Sequence, residues 1–408
     1  MISYQKLFES IFKLFIVSYL FFFLSIATPL GGITIDRFLS LMIFLIIIIK
    51  FKHRFDLFGI TILSLIAYVT LFKLYYINEL NPKYFMFLIC MIILYNSYRI
   101  NKLNLNFHKY IVFSYLLLSL ISIYSIYSFL TSGIVPSSFK FLDSISFIRS
   151  VNYEHMARVN ASYLFPRLSL PWPTPPHLSL VLAIYSLYFL KSVFENKSKL
   201  TNILLLTSIF FMITTISRSG IVPFLLISFI YYNINSNSLF IKKIFKLIIF
   251  VALFLFCLKM FNNDLFQLLF NRFFTGSVES MTGGHTDARM LGINQFIEGS
   301  IFEMFFGVGI GNFIGIHAHM TTLTFLVEIG IIGVSLFMFL FIQRAIICYK
   351  FYKKFPNNSK EHIFELMLLM LIFIAMLLYE FTYLTPVYLF WGMATARSYN
   401  ESQRTLLK

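Results

Sequence analysis

Charge is the scarcest resource in this chain. Asp, Glu, Lys and Arg make up only 12% of its 408 residues, against about 25% in soluble domains. Too few polar groups are present to cover a globular surface, which argues against a soluble fold. Acidic residues are scarcer still, 17 against 33 basic, for a formal net charge of +16. In a soluble protein such an excess would suggest a nucleic-acid partner. Here the basic runs are short and flank apolar stretches, so the charge reads as loop charge that orients a membrane protein, and no nucleic acid is expected. Cysteine is nearly absent as well. Cys90, Cys257 and Cys348 are scattered with no CxxC, which supports neither a disulfide framework nor a zinc site, and no metal is expected from this spacing.

What is present is hydrophobic: 59% of the chain, with 52 phenylalanines and a mean hydropathy of +0.81. The expected fold is an all-α polytopic membrane protein, a single integral membrane domain over 1–408. Apolar stretches near the length that crosses a hydrocarbon core of roughly 30 Å centre on about twelve places, near residues 20, 44, 67, 90, 120, 185, 208, 226, 251, 332, 371 and 391. The fourth, eighth and twelfth are short. The run from Ile11 to Leu30 reads as an uncleaved first helix rather than a signal peptide, because further spans follow it. With both termini cytoplasmic, about two thirds of the 33 basic residues fall in short inside loops, as the positive-inside rule requires. This leaves two long extracytoplasmic loops, 131–176 and 262–318, the second with an amphipathic helix. Connections of that length tend to be functional, so the chemistry is expected outside. No internal repeat of the kind many transporters carry is evident.

The polar residues of interest are few. The first long loop ends in RVNASYLFPRLSLPWPTPPHLSL, where Arg158 and Arg167 bracket an aromatic patch and four prolines forbid regular helix before His177. It reads either as an interfacial loop with Trp172 in the aromatic belt or as an arginine-lined rim for an anionic head group. In TTISRSGIVPF, Arg218 lies among apolar residues and either snorkels to the interface or, with Ser217 and Ser219, clamps an anion. In GGHTDAR, Thr286 suits a helix N-cap and Asp287 the first turn. Arg289 then falls in that first turn, where the helix dipole disfavours a cation, and a bound phosphate would resolve the mismatch; the alternative is a solvated surface arginine. GVGIGNF follows, with Gly307, Gly309 and Gly311 in no βαβ context, so these glycines read as a tight turn. Last comes HAHM. His319 opens an apolar run, and histidine is the residue type suited to accepting a proton near neutral pH, while His317 and His319 would point opposite ways in an extended chain, which disfavours a two-histidine metal site.

The stretch HMTTLTFLVEIGIIG, from His319 to Gly333, resembles the signature of the O-antigen polymerase and O-antigen ligase superfamily: a histidine opening a span, then Glu328 nine residues on, then Gly330 and Gly333. GGHTDAR, the following helix and GVGIGNF look like the family's arginine, helix and glycine segment. TTISRSG looks like its membrane-embedded arginine motif, and RLSLPWPTPPHLSLVLA is similar to its weaker proline-rich segment. These motifs occur in order over residues 160–335. Family members often carry asparagine directly after the histidine, where this chain has Met320.

The resemblance implies a membrane-embedded, metal-independent glycosyltransferase without cofactor, taking its glycan from a polyprenyl-diphosphate-linked oligosaccharide at the periplasmic face of a bacterial inner membrane. It implies that His319 orients or deprotonates the acceptor hydroxyl, that Arg218 and Arg289 bind the diphosphate, and that Arg158, Arg167 and His317 rim the substrate. Glu328, about two and a half turns beyond His319, is too far along the helix to pair with it and is expected to be structural. Polymerase is favoured over ligase, because only 30 residues separate Arg289 from His319, leaving little room for an acceptor-binding subdomain. A chain-length regulator protein is a further possible partner, beside membrane lipid. A lipid-linked oligosaccharide flippase is the alternative from another class, but it would place charges near mid-membrane and show repeats.

Overall fold

Long runs of Ile, Leu and Phe hold few side chains able to satisfy a backbone N–H or C=O. In lipid such a chain must satisfy its backbone within each segment or across a closed sheet, and the helix is the local solution. The computed structural model describes residues 4–18, 24–28, 31–50, 56–75, 82–100, 108–132, 148–150, 168–172, 174–196, 198–235, 286–313 and 320–406. The helices are α1 (Tyr4–Ser18), α2 (Ile35–Lys50), α3 (Leu57–Tyr75), α4 (Pro82–Ile100), α5 (His108–Ser132), α6 (Pro175–Asn196), α7 (Lys199–Thr214), α8 (Arg218–Asn235), α9 (Thr286–Glu298), α10 (Ile301–Phe306), α11 (Thr321–Lys354), α12 (Lys360–Leu378) and α13 (Thr385–Leu406). Among the described residues, His108–Ser132, Pro175–Glu195, Thr321–Lys354 and Lys360–Leu378 are long and apolar enough to cross a membrane. The ninth expected span, near residue 251, lies outside the described residues.

The expected first span does not form as one helix. α1 ends at Ser18, and the chain continues as β1 (Leu24–Thr28), which pairs antiparallel with β2 (Gly31–Thr34) and with β3 (Ile148–Ser150) in the order β2-β1-β3. The register sets Ile26 opposite Ile33 on one side and Ile148 on the other. The glycine pair Gly31–Gly32 costs a helix about 1 kcal/mol per residue, and the ladder supplies the backbone pairing that the helix would have given.

By contacts the chain divides into two units, one of Met1–Ile121, Ser138–Asn152 and Ala288–Lys408, the other of Ser122–Ser137 and Tyr153–Asp287. In the first, Trp391 of α13 is fully buried among Phe341, Phe58 and Phe337, at ring separations of 4.2, 6.2 and 6.2 Å. α13 comes close to α4 at Gly392, where a Cβ would stand 2.6 Å from the Leu94 carbonyl oxygen. A small residue permitting backbone approach is the usual device of helices packed in lipid. Along α11 the buried positions Gly333, Phe337, Leu340, Phe341, Arg344 and Cys348 recur every three or four residues, giving the helix one inward stripe.

In the second unit, α6 is almost wholly buried, and Ser186 donates to Ser208 of α7 over 2.8 Å. α8 starts hard against α6, since a Cβ on Gly220 would meet Ser179 Oγ at 2.2 Å. Trp172 does not sit in an aromatic belt at a surface. It is 3% exposed, beside buried Leu168, Ser169 and Leu170, and Leu168 donates its N–H to the Thr214 carbonyl over 3.3 Å. The prolines that forbid helix here leave a tight turn, in which Trp172 donates its N–H to Ser169 O over 2.9 Å, to fill the interior of the unit.

Candidate functional site

α11 is two helices joined across a kink. Gly330 has φ 65° and ψ −177° and breaks it between Ile329 and Ile331. A broken helix leaves orphan carbonyls, and at membrane depth each needs a donor. The glycine turn after α10 supplies them: Val308 N donates to Val327 O and Gly309 N to Glu328 O, both at 3.0 Å. The Tyr68 hydroxyl of α3 lies 3.0 Å from Ile329 O and 3.2 Å from Phe306 O. The approach is backbone against backbone. A Cβ on Gly330 would stand 2.4 Å from Phe305 O, and one on Gly307, at φ 83°, would stand 2.4 Å from Glu328 O. These two glycines are required by position rather than by turn propensity. Upstream, Ser300 and Glu303 form a capping box that starts α10 and so sets where the turn begins.

Around the break lies a buried polar cluster of the first unit. Glu328, 1% exposed, accepts from Gly311 N over 3.0 Å, with the Tyr383 hydroxyl at a long 3.5 Å. One turn earlier, Thr324 donates to Glu380 Oε2 over 2.5 Å. Thr382 gives the other Glu380 oxygen its N–H, at 3.2 Å, and its hydroxyl. Thr321 joins the same link, donating its N–H and hydroxyl to Tyr379 O at 3.3 and 3.0 Å and accepting from Phe381 N at 2.7 Å. Lys83, in the first turn of α4, acts electrostatically on both carboxylates. In the link between α12 and α13, burial pushes Glu380 up to about 7, against the opposing pull of the Thr324 and Thr382 hydrogen bonds and of Lys83. Burial likewise pushes the Tyr383 phenol upward, followed by the charges of Glu328 and Glu380, so it remains a neutral donor.

Arg289 lies on α9, which opens at Thr286 and so holds Arg289 in its first turn. Its Nη2 donates to Leu378 O, the last carbonyl of α12, over 3.3 Å. The negative end of one helix thereby offsets part of the conflict with the positive end of the other. Its Nε is buried without a hydrogen-bond partner. A half-buried guanidinium with a donor in hand, beside backbone N–H groups of a helix start, is a seat for an anionic oxygen. The apolar residues Met290, Ile293 and Ile297 of α9 are 50, 38 and 63% exposed, as suits a helix lying in an interface.

Arg218 belongs to the second unit, where it opens α8, half-buried, between Ser217 and Ser219, whose hydroxyls bond each other over 2.8 Å. It shares with Arg289 a place in the first turn of a helix. Arg158, Arg167, His317 and His319 lie outside the described residues, although His319 directly precedes the segment from Met320 that starts α11. Sequence reading missed Glu380, Tyr383, Lys83 and Tyr68. Glu380 left a usable signal, an acid in the stretch YEFTYLTP between two apolar runs, where an ionisable group is costly unless it has a task. Lys83 and Tyr68 left none, since their place at the break depends on packing. No family model and no curated protein sequence matches this chain.

Proposed function

We propose that this protein is a membrane-embedded glycosyltransferase that polymerises surface-polysaccharide repeat units, moving a growing glycan from polyprenyl diphosphate to another lipid-linked unit at the periplasmic face of a bacterial inner membrane. In the step proposed, the acceptor hydroxyl oxygen bonds to the anomeric carbon and the bond from that carbon to the diphosphate oxygen breaks. The electron pair leaves with the diphosphate, and the hydroxyl proton goes to His319. Arginines answer the charge gathering on the leaving diphosphate, so the reaction needs no nucleotide.

The observation that carries the reading is Arg289, with its buried Nε lacking a partner, set at a helix start and bonded to the last carbonyl of α12. The motif order along the sequence supports it too, as do apolar helices able to hold a lipid-linked donor. The family resemblance implies a diphosphate-binding role for Arg218 as well, which opens α8.

The test is the gel profile of surface polysaccharide from a host lacking the gene, complemented with wild type or with His319→Ala. A single repeat on the lipid A-core, extended to a ladder by wild type and not by the variant, is the expected result. Bare core with long lipid-linked polymer accumulating would mean a ligase. Repeat units trapped on the cytoplasmic leaflet would mean a flippase, and either outcome overturns the polymerase.

A further inference from the structure

A second buried cluster lies far from the break in α11, roughly 30 Å along it from Glu328 to Cys348 at 1.5 Å per helical residue. It joins Cys348 of α11 to His362 and Glu365 of α12, all three buried. His362 and Glu365, three positions apart, share one face of their helix, and Cys348 ends the inward stripe of α11. One ligand atom from each residue lies within 4.8 Å of the others. Cys348 Sγ donates to Glu365 Oε2 over 3.0 Å.

His362 supplies the second observation. The residue is 1% exposed and its Nδ1 has no hydrogen-bond partner, an expensive omission for a buried ring. Its other nitrogen, Nε2, is held 2.8 Å from Ser402 Oγ of α13. A ring fixed through one nitrogen with the other left over is the arrangement in which a neighbouring group orients a metal ligand. Glu365 is braced in the same way: Arg344 donates to Oε1 and Oε2, each over 2.8 Å, Thr395 to Oε1 over 2.7 Å, and Ser398 to Oε2.

We propose that Cys348, His362 and Glu365 bind a borderline-soft divalent cation of the zinc type, which ties the end of α11 to the start of α12. Thiolate, imidazole and carboxylate together form a zinc-type donor set. Ligand atoms on a tetrahedral zinc stand roughly 3.3–3.6 Å apart, given bonds of about 2.0–2.3 Å, so the cluster closes on the ion with small shifts. On binding, the Cys348 S–H bond breaks, its proton leaves to solvent, and the sulfur electron pair bonds the metal. Glu365 Oε2 loses the thiol hydrogen and gains the ion in its place. The ion's two positive charges meet the thiolate and the carboxylate. Glu401, whose Oε2 accepts from the N–H groups of Glu361 and His362 at 3.1 and 3.3 Å, adds negative charge against Arg344. Water fills the fourth position.

The test uses the full chain in detergent, with zinc and cobalt(II) as probes. Expected are one zinc per chain by mass spectrometry of metals, a thiolate-to-cobalt absorption band, and a thermal midpoint raised by zinc and lowered again by chelator. Cys348→Ser and His362→Gln keep the Arg344–Glu365 pair, and each is expected to lose at least tenfold in zinc affinity; Cys348→Ser also loses the band although Cys90 and Cys257 remain. A folded wild type that binds no stoichiometric zinc at micromolar concentration overturns the proposal. So does zinc affinity unchanged in His362→Gln. Should a variant fail to fold, the cobalt spectrum of the wild type decides alone, absence of the band counting against the site.

Discussion

At the scale of single residues, the consequential groups are a cation and a carboxylate with unequal surroundings. Arg289 has one guanidinium donor committed to Leu378 O and one buried without a partner. Arg289→Ala is expected to lower polymer formation by about 10²–10³-fold, the scale of losing one aimed donor to a developing charge. Arg289→Lys is expected to recover only part of this, since an ammonium cannot form the fork. A turnover assay with lipid-linked repeat units measures both, and wild-type rates in either variant would remove Arg289 from the reaction. Glu380 gives a pH prediction. Its folded pKa, raised by burial to about 7, lies above the ordinary carboxylate value. The folded state therefore holds the proton more tightly than the unfolded chain. That contribution to stability is complete below the unfolded pKa and is lost as pH rises through about 7. Thermal midpoints are expected to fall across that interval in wild type and to fall less steeply in Glu380→Gln. An equal slope in both would assign the pH dependence elsewhere.

At the scale of elements, the break in α11 is the feature most exposed to mutation. Gly330 combines a positive φ with a neighbouring carbonyl where a Cβ would have to stand. Gly330→Ala is expected to cost about 3 kcal/mol or more, backbone strain alone accounting for about 1–3 kcal/mol. Gly333→Ala should cost less, because Gly333 keeps helical backbone and carries no positive-φ strain, although its Cβ would stand 2.7 Å from Ile329 Cβ, which no rotamer change moves. Thermal midpoints in detergent compare the two, and equal losses would mean that the break is not held by this backbone contact. The same element shows how far the amino-acid order was readable. Gly330 and Gly333 stand out in HMTTLTFLVEIGIIG, and so does a glycine turn at GVGIGNF. That one glycine set exists to cap the carbonyls exposed by the other is a pairing between segments about 20 residues apart, with Tyr68 joining from α3. No local pattern encodes it. Trp172 errs in the other direction. Beside prolines it reads as interfacial, yet it is buried, because a chain barred from helix can still fold inward as a hydrogen-bonded turn.

At the scale of the molecule, the orientation proposed from where the basic residues gather is open to a direct test. Phosphatase fused after Phe355 is expected to be inactive, and fused after Leu378 active, since these positions flank α12 on opposite sides in the orientation with both termini cytoplasmic. The reverse pattern would put the cluster around Glu328 on the wrong face for a periplasmic transferase. Composition and period already dictate a great deal: a chain with 12% charge and a mean hydropathy of +0.81 must shelter its backbone in apolar helices, and Arg218, Arg289 and Glu328 can be singled out because ionisable groups among apolar runs are costly. Partnership is another matter. Arg289 with Leu378, Thr324 with Glu380, and Cys348 with His362 and Glu365 are 89, 56, 14 and 17 positions apart or in separate helices, so a search for paired cysteines could not find the last of these. A hydrogen bond or a metal bond reaches about 3 Å in space and is indifferent to distance along the chain; which groups come within that reach is fixed by how the helices pack.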